Sequence, residues 1–400
     1  MPQSGLADGS KGGKLPGWTI AALLSLGQLA AMAPPESRLP SNLPVDVEIP
    51  TSPMPVTADG RLHAVYELHL TNFSRIELHL RQLDVTDGSG RRRLARYEGP
   101  SLMEAIGGPG ARADAADRRV IAPGSSVVIF LDVTTPGREP MPSVLSHRLV
   151  FEPAAGFTAA DTTIEAIRVR VRGEAPIILG PPLRGGGWVA SHALSNTSEH
   201  RRSVVFVDGK PWIAQRFAID WLRIGPNGQA FAGDPAKLQS WAPYGASVLA
   251  VADGRIVDEK DGITENDPTS AAKAVPINLA TAGGNYVILD LGGGRYAFYA
   301  HLRPGSLTAR IGDRVGRGQV IARLGDSGNA DAPHLHFQVM DANAPLAADG
   351  LPYEFASFAV EGRLPSLSVL ADGKGWRPPP GPPDTRRNAL PTENEVIDFP

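Results

Sequence analysis

Three histidines hold the chemistry this chain could perform. His334 and His336 alternate within Pro333-His-Leu-His-Phe-Gln-Val339. In an extended strand alternate side chains share a face, so the two rings project together, roughly 7 Å apart along the backbone. Two imidazoles side by side can bind one metal ion and act on its substrate. They follow a Gly/Asn-rich turn, Gly325-Asp-Ser-Gly-Asn329, and a third ring, His301, closes a separate strand-like run from Arg295. A lone histidine would read as a half-exposed polar position; three in this local sequence read as a site.

Cysteine is absent from all 400 residues, which leaves His, Asp and Glu as the ligands available to any metal. It also removes disulfides and cysteine nucleophiles. The formal net charge of −3 provides no global basic field for nucleic acid or anionic lipid. Two short basic clusters, Arg91-Arg92-Arg93 and Arg201-Arg202, are expected to be solvated strand ends. At the N-terminus, Lys11 and Lys14 precede the apolar, small-residue-rich stretch Trp18–Ala33, which reads as an export signal spanning residues 1–33. Ala31-Met-Ala33 has the form of a cleavage site, although Pro34 is a poor residue at the cut. No other stretch approaches the length of a membrane span, so no stable transmembrane anchor is expected.

The elements that must position the histidines are strands; long helical periodicity is missing, and the expected fold class is all-β. Residues 45–175 alternate as a β-sandwich would, and strand spacing predicts an immunoglobulin-like one. In Leu62–Leu70, Leu62, Ala64, Tyr66, Leu68 and Leu70 share the core face. His63, His69 and, on the next strand, His79 are then expected as solvent-facing polar residues rather than a metal cluster. Pro176–Gly187 reads as a linker. A second β-rich domain is expected over 188–358, and the Pro-rich stretch 371–400 is expected to be a disordered tail. Gly292-Gly-Gly294 reads as a hairpin turn, since no helix follows it to cradle a phosphate. The long insertion between about Val257 and Gly283 is assigned no site residues.

Five further blocks occur in one order: Asn285–Asp290, Tyr299-Ala-His-Leu302, Ile311–Ile321, Gly325–Asn329 and Pro333–Phe337, preceded by Tyr244–Ile256. Together, over roughly residues 188–345, they resemble the lysostaphin/LytM-type zinc endopeptidases, which cut peptide bridges of bacterial peptidoglycan. The resemblance implies a LytM-type antiparallel β-sheet peptidase domain. It implies His336 as a zinc (Zn2+) ligand and Asp220, in Gln215–Trp221, as the aspartate ligand. His301 and His334 are implied as the catalytic histidines that position the attacking water and move its proton. Bound zinc with an open position lowers the pKa of water to about 7 and polarises a carbonyl, and neutral imidazoles suit proton transfer near neutrality.

One position departs from the pattern. The family's first ligand is a histidine four residues before the aspartate, and here that residue is Arg216. A guanidinium has no lone pair to offer a metal. His200 lies upstream where the family's chain approaches its metal and is the expected replacement, with His192 a second candidate. The expectation is therefore an exported zinc metalloendopeptidase, periplasmic or extracellular, acting on peptidoglycan peptides. The alternative is a relative without catalysis that binds and activates a cell-wall amidase, which Arg216 favours. A biotin- or lipoyl-carrier reading fails, because Lys260 and Lys273 lack the flanking residues of a modified hairpin lysine.

Overall fold

The computed structural model describes residues 42–108, 117–137, 139–152, 162–372 and 375–400, so the expected export signal lies outside the described residues. The architecture is all-β, with antiparallel sheets and only short helices. Among the described residues no helix is long and apolar enough to cross a membrane.

The N-terminal region folds as two five-stranded sheets. One is built around Arg61–Asn72 and Ser126–Pro136, the other around Leu78–Asp87 and Val144–Phe151. Tyr66, Leu68 and Leu70 of the first meet Leu80, Leu83, Val85 and Leu149 of the second in one apolar core. The alternation predicted that face. It also predicted that the opposite face would meet solvent, and there the structure differs. Val56, Ala58 and Val65 belong to the core of the C-terminal half, alongside Leu179, Trp221 and Phe355. His63 is buried between Asp59 and Asp132, at 3.1 and 3.0 Å, because the second half of the chain covers its strand. His79 instead pairs with Asp117 and Glu152, so the histidines do not converge on one point.

The C-terminal half is organised by a ten-stranded sheet in which every neighbouring pair runs antiparallel. Its central strands, in spatial order, are Tyr296–Leu302, Leu335–Met340, Ile219–Arg223 and Gly185–Ser191. Alternation divides their side chains. Trp188, Ile219, Trp221, Tyr299, Leu335 and Phe337 enter the main core, while Asp220 and His336 point to the opposite face. The register sets Ala300 opposite His336, His336 opposite Asp220, and Asp220 opposite Ser191, one line across the middle of the sheet.

Two expectations about connecting segments are corrected. Residues 371–400 are not a disordered tail: Glu395–Phe399 inserts between Gly185–Ser191 and Phe358–Arg363 as an inner strand. Val396, Ile397 and Phe399 are buried, and Glu395 is held by Arg363, Arg386 and the Thr392 amide. A five-residue strand after a Pro-rich run has too little local periodicity to reveal itself. Of its two partners, Phe358–Arg363 is fairly near in sequence, but Gly185–Ser191 lies about two hundred residues away. For the same reason the presumed linker is partly structural: Ile177–Leu179 pairs in parallel with Tyr353–Phe355, and Leu179 and Leu183 are buried.

Because Ile397 is fully buried in the main core, Ile397→Ala is expected to lower the unfolding free energy by about 2–5 kcal/mol. Urea denaturation followed by tryptophan fluorescence measures it. A change below about 0.5 kcal/mol, as for an exposed tail position, would contradict the strand's place in the sheet.

Candidate metal centre

Asp220 and His336 are cross-strand partners on the face of the sheet away from the main core, and the His336 Nδ1 lies 2.9 Å from the Asp220 Oδ1. The other nitrogen of that ring, Nε2, lies 2.9 Å from Gln338 Oε1. The Gln338 amide is itself oriented, because its NH2 group donates to the Pro345 carbonyl at 3.1 Å. Its oxygen therefore faces the ring and accepts, which puts a hydrogen on Nε2. With that hydrogen on Nε2, the 2.9 Å approach of Nδ1 to the carboxylate is favourable only with a proton or a metal cation between them.

His200 supplies the third side chain. It sits on the one-turn helix Glu199–Arg202, with Nε2 3.2 Å from Asp220 Oδ2 and its ring centroid 4.8 Å from that of His336. Its Nδ1 is buried without a hydrogen-bond partner. Ligating atoms of His200, Asp220 and His336 all lie within 4.8 Å of one another, the one such group among the described residues. His192 stands behind, its ring 5.2 Å from that of His200, and forms no part of that group. Burial holds His200 below its ordinary pKa, against the pull of Asp220, so the ring stays neutral with a lone pair available. For Asp220, burial pushes the carboxyl up, but His200 and His334 more than offset it and keep it ionised. Two imidazoles and a carboxylate are a donor set that suits zinc, and one metal would satisfy all three where a proton would satisfy one pair.

His301 and His334 flank this group, their ring centroids 4.7 Å apart. The His334 Nε2 is 3.4 Å from Asp220 Oδ1, and its Nδ1 bonds the Ala332 carbonyl at 2.8 Å. His301 bonds the Ser327 carbonyl through Nδ1 at 2.8 Å. Both rings thus carry Nδ1–H and turn Nε2 inward. His301, next to last in Tyr296–Leu302, has a φ of +62°, a left-handed backbone that brings its ring round into the site. The loop that meets it depends on two glycines: a Cβ on Gly284 would lie 2.4 Å from Ser327, and one on Gly328 would lie 2.3 Å from the Gly284 nitrogen. Ser327 is further fixed by donating to the Leu302 carbonyl and accepting from the Asn285 amide. All five side chains open into a groove of about 770 Å³, walled by Lys260, Leu279, Tyr286, Phe298 and Asn329. Part of the long insertion thus lines the groove, although the sequence singled out no residue there.

Arg216 is directed away from this cluster. It is buried and pairs with Glu67 of the N-terminal region and with Asp349, each at 3.0 Å. Arg201 bonds the same Glu67 carboxylate and is also fully buried, not the solvated strand end expected of it. Burial pushes Glu67 up, and the two guanidinium groups more than offset this, leaving its carboxyl at about 2. Sequence reasoning missed Glu67, Ser327 and Gln338. Gln338 was within reach, since it lies two residues beyond His336 on the same strand face. Glu67 gave no signal, being separated from Arg216 by 149 positions.

Residues 238–348 match the model of peptidase family M23. That match covers part of the C-terminal half of the chain. The matched span contains His301, His334 and His336, whereas His200 and Asp220 lie before it. Over 230 residues the chain is 28% identical to the peptidoglycan DD-endopeptidase ShyA of Vibrio cholerae, covering 54% of this chain and 45% of that protein. It is 30% identical over 147 residues to the glycyl-glycine endopeptidase ALE-1 of Staphylococcus capitis, covering 34% and 35% respectively. The chain thus spans less than half the length of these curated relatives. A solved zinc containing peptidase from Vibrio cholerae aligns over 76% of this chain and 86% of its own, at 17% identity and a TM-score of 0.23. The span that matches the family model supplies three of the five clustered side chains.

The Glu67 pKa sets a pH test. A carboxyl held at about 2 instead of the ordinary 4.5 contributes stability that is fully present above pH 4.5 and is lost as pH falls toward 2. Denaturation midpoints of the wild-type chain are expected to fall across that window. In Glu67→Gln the fall should be shallower; identical slopes would contradict the shift.

Proposed function

We propose that the chain is an exported zinc metalloendopeptidase that hydrolyses peptide bonds of bacterial peptidoglycan, working in the periplasm or outside the cell. The observation that carries this reading is the facing pair of His336 Nδ1 and Asp220 at 2.9 Å, with the neutral His200 beside them. His200, Asp220 and His336 would hold the zinc, His200 standing in for the histidine that Arg216 replaces. Bound zinc supplies Lewis-acid polarisation of the scissile carbonyl and lowers the pKa of water.

The remaining work falls to the chain's own groups. His301 and His334, each steadied through Nδ1 by a backbone carbonyl, present Nε2 as the atoms that take a proton from the attacking water and return it to the leaving amine. Their fixed rings also suit stabilisation of charge developing on the carbonyl oxygen. The groove, about 770 Å³ in volume, offers a peptide Tyr286 and Phe298 as apolar lining and Lys260 as a cation. The names of the relatives, endopeptidases of peptidoglycan and of glycyl-glycine bonds, support peptidoglycan peptides as the substrate class. The second reading, a binding protein that activates a cell-wall amidase, has Arg216 in its favour. The presence of His301 and His334 beside the candidate ligands weighs against it.

Metal analysis of the purified chain is expected to give about one zinc per molecule. His336→Ala and His200→Ala should lose both the metal and hydrolysis of purified peptidoglycan. His301→Ala and His334→Ala should keep the metal while the rate falls by about 10²–10⁴. A wild-type chain that takes up no zinc after supplementation, yet raises the activity of an amidase, would establish the second reading instead.

A further inference from the structure

We propose that Glu67, from the N-terminal sandwich, is a positioning residue for the metal centre: through Arg201 it holds the helix that presents His200. The inference rests on His200 being a ligand, as proposed above. Four residues cannot sustain a helix alone, since nucleating one turn costs more than its few hydrogen bonds return. The place of Glu199–Arg202 must therefore come from its side chains and its flanks. Those contacts go to the sandwich. Just before the helix, Asn196 donates to the Phe130 carbonyl at 2.8 Å. Arg201 donates to the Tyr66 carbonyl at 2.9 Å and to the Glu67 carboxylate, with its guanidinium 5.0 Å from the centre of the Phe130 ring. Arg202 lies 5.3 Å over the same ring and donates to the carbonyls of Asn196 and Glu104.

Consecutive residues on that turn thus face opposite ways. His200 reaches the Asp220 carboxylate, and Arg201 reaches back into the sandwich. The Glu67 carboxylate also grips Arg216, four residues before Asp220 on the approach to its strand. One sandwich carboxylate consequently fixes the approach of two candidate ligands. The residue that departs from the family's usual ligand position serves as the second half of this clamp. Replacing the carboxylate would leave two buried guanidinium groups short of their counter-charge, and the His200 turn would lose its principal anchor.

The test uses the complete chain and reads zinc affinity by competition with a chromophoric chelator, with near-UV circular dichroism reporting the fold. Glu67→Gln is expected to weaken zinc binding by about 10–100-fold, the range typical of groups that orient a ligand. Arg201→Ala, which breaks the link to the helix and leaves the Glu67 carboxylate paired with Arg216, should weaken it in the same direction, and it decides the matter if Glu67→Gln does not fold. In a His200→Ala background, Glu67→Gln should produce no further loss. The inference is overturned if folded Glu67→Gln binds zinc as the wild type does, or if its effect persists undiminished without His200. It is equally overturned if Glu67→Gln does not fold and Arg201→Ala binds zinc as tightly as the wild type. Tight binding by His200→Ala itself would instead overturn the ligand assignment, and this inference with it.

Discussion

The pairing of Ile219–Arg223 with Leu335–Met340 is the constraint on which the rest of the site depends. That register sets Asp220 directly against His336, and strand alternation sends both to one face while Ile219, Trp221, Leu335 and Phe337 go to the other. A slip of one residue would put the carboxylate in the apolar core and an aromatic side chain in the groove. Four of those neighbouring side chains are fully buried, and their burial penalises any other register. The hydrophobic core thereby enforces the position of the polar pair, and the pair requires a cation to be at ease.

Around that pair, the rings of His336, His301 and His334 are each steered by a neighbour that fixes a hydrogen, whereas the Nδ1 of His200 has no such partner. Gln338 accepts from His336, Ser327 from His301 and Ala332 from His334. These contacts decide which nitrogen faces inward, and a ring with the wrong tautomer could neither ligate nor take a proton. Two of the three acceptors are backbone carbonyls, so they depend on loop shape rather than residue identity. The close approach of Gly284 and Gly328 gives that shape for His301.

Arg216, at the position where the family resemblance implies a ligand, is built into the fold instead. A buried guanidinium is costly on its own, yet Glu67 and Asp349 satisfy this one, and the same Glu67 serves Arg201. The sandwich is therefore bonded to the second half of the chain by buried charges as well as by the shared apolar contacts of Val56, Ala58 and Val65. Buried ionic groups of this kind add less net stability than their number implies, because desolvation offsets much of the attraction. Their effect lies in geometry: a carboxylate held by two guanidinium groups leaves the segments that bear them little freedom to shift.

The sequence by itself determined what depends on short-range pattern. Alternation in Leu62–Leu70 gave the core face of the sandwich, and the spacing of His334 and His336 put two rings into one groove, His334 just before the strand and His336 within it. The motif around them pointed to the family whose model matches residues 238–348. Tertiary structure alone decided what depends on distant partners. It turned the second face of Arg61–Asn72 from solvent to interface, made an inner strand of Glu395–Phe399, and buried Arg201 against Glu67. It also brought His200 to Asp220, twenty positions further along the chain. The reason is the same in each case: local pattern records which side of a strand is apolar, but burial of a charge or pairing of a short strand is paid for by groups well outside that pattern, and no local window contains both partners.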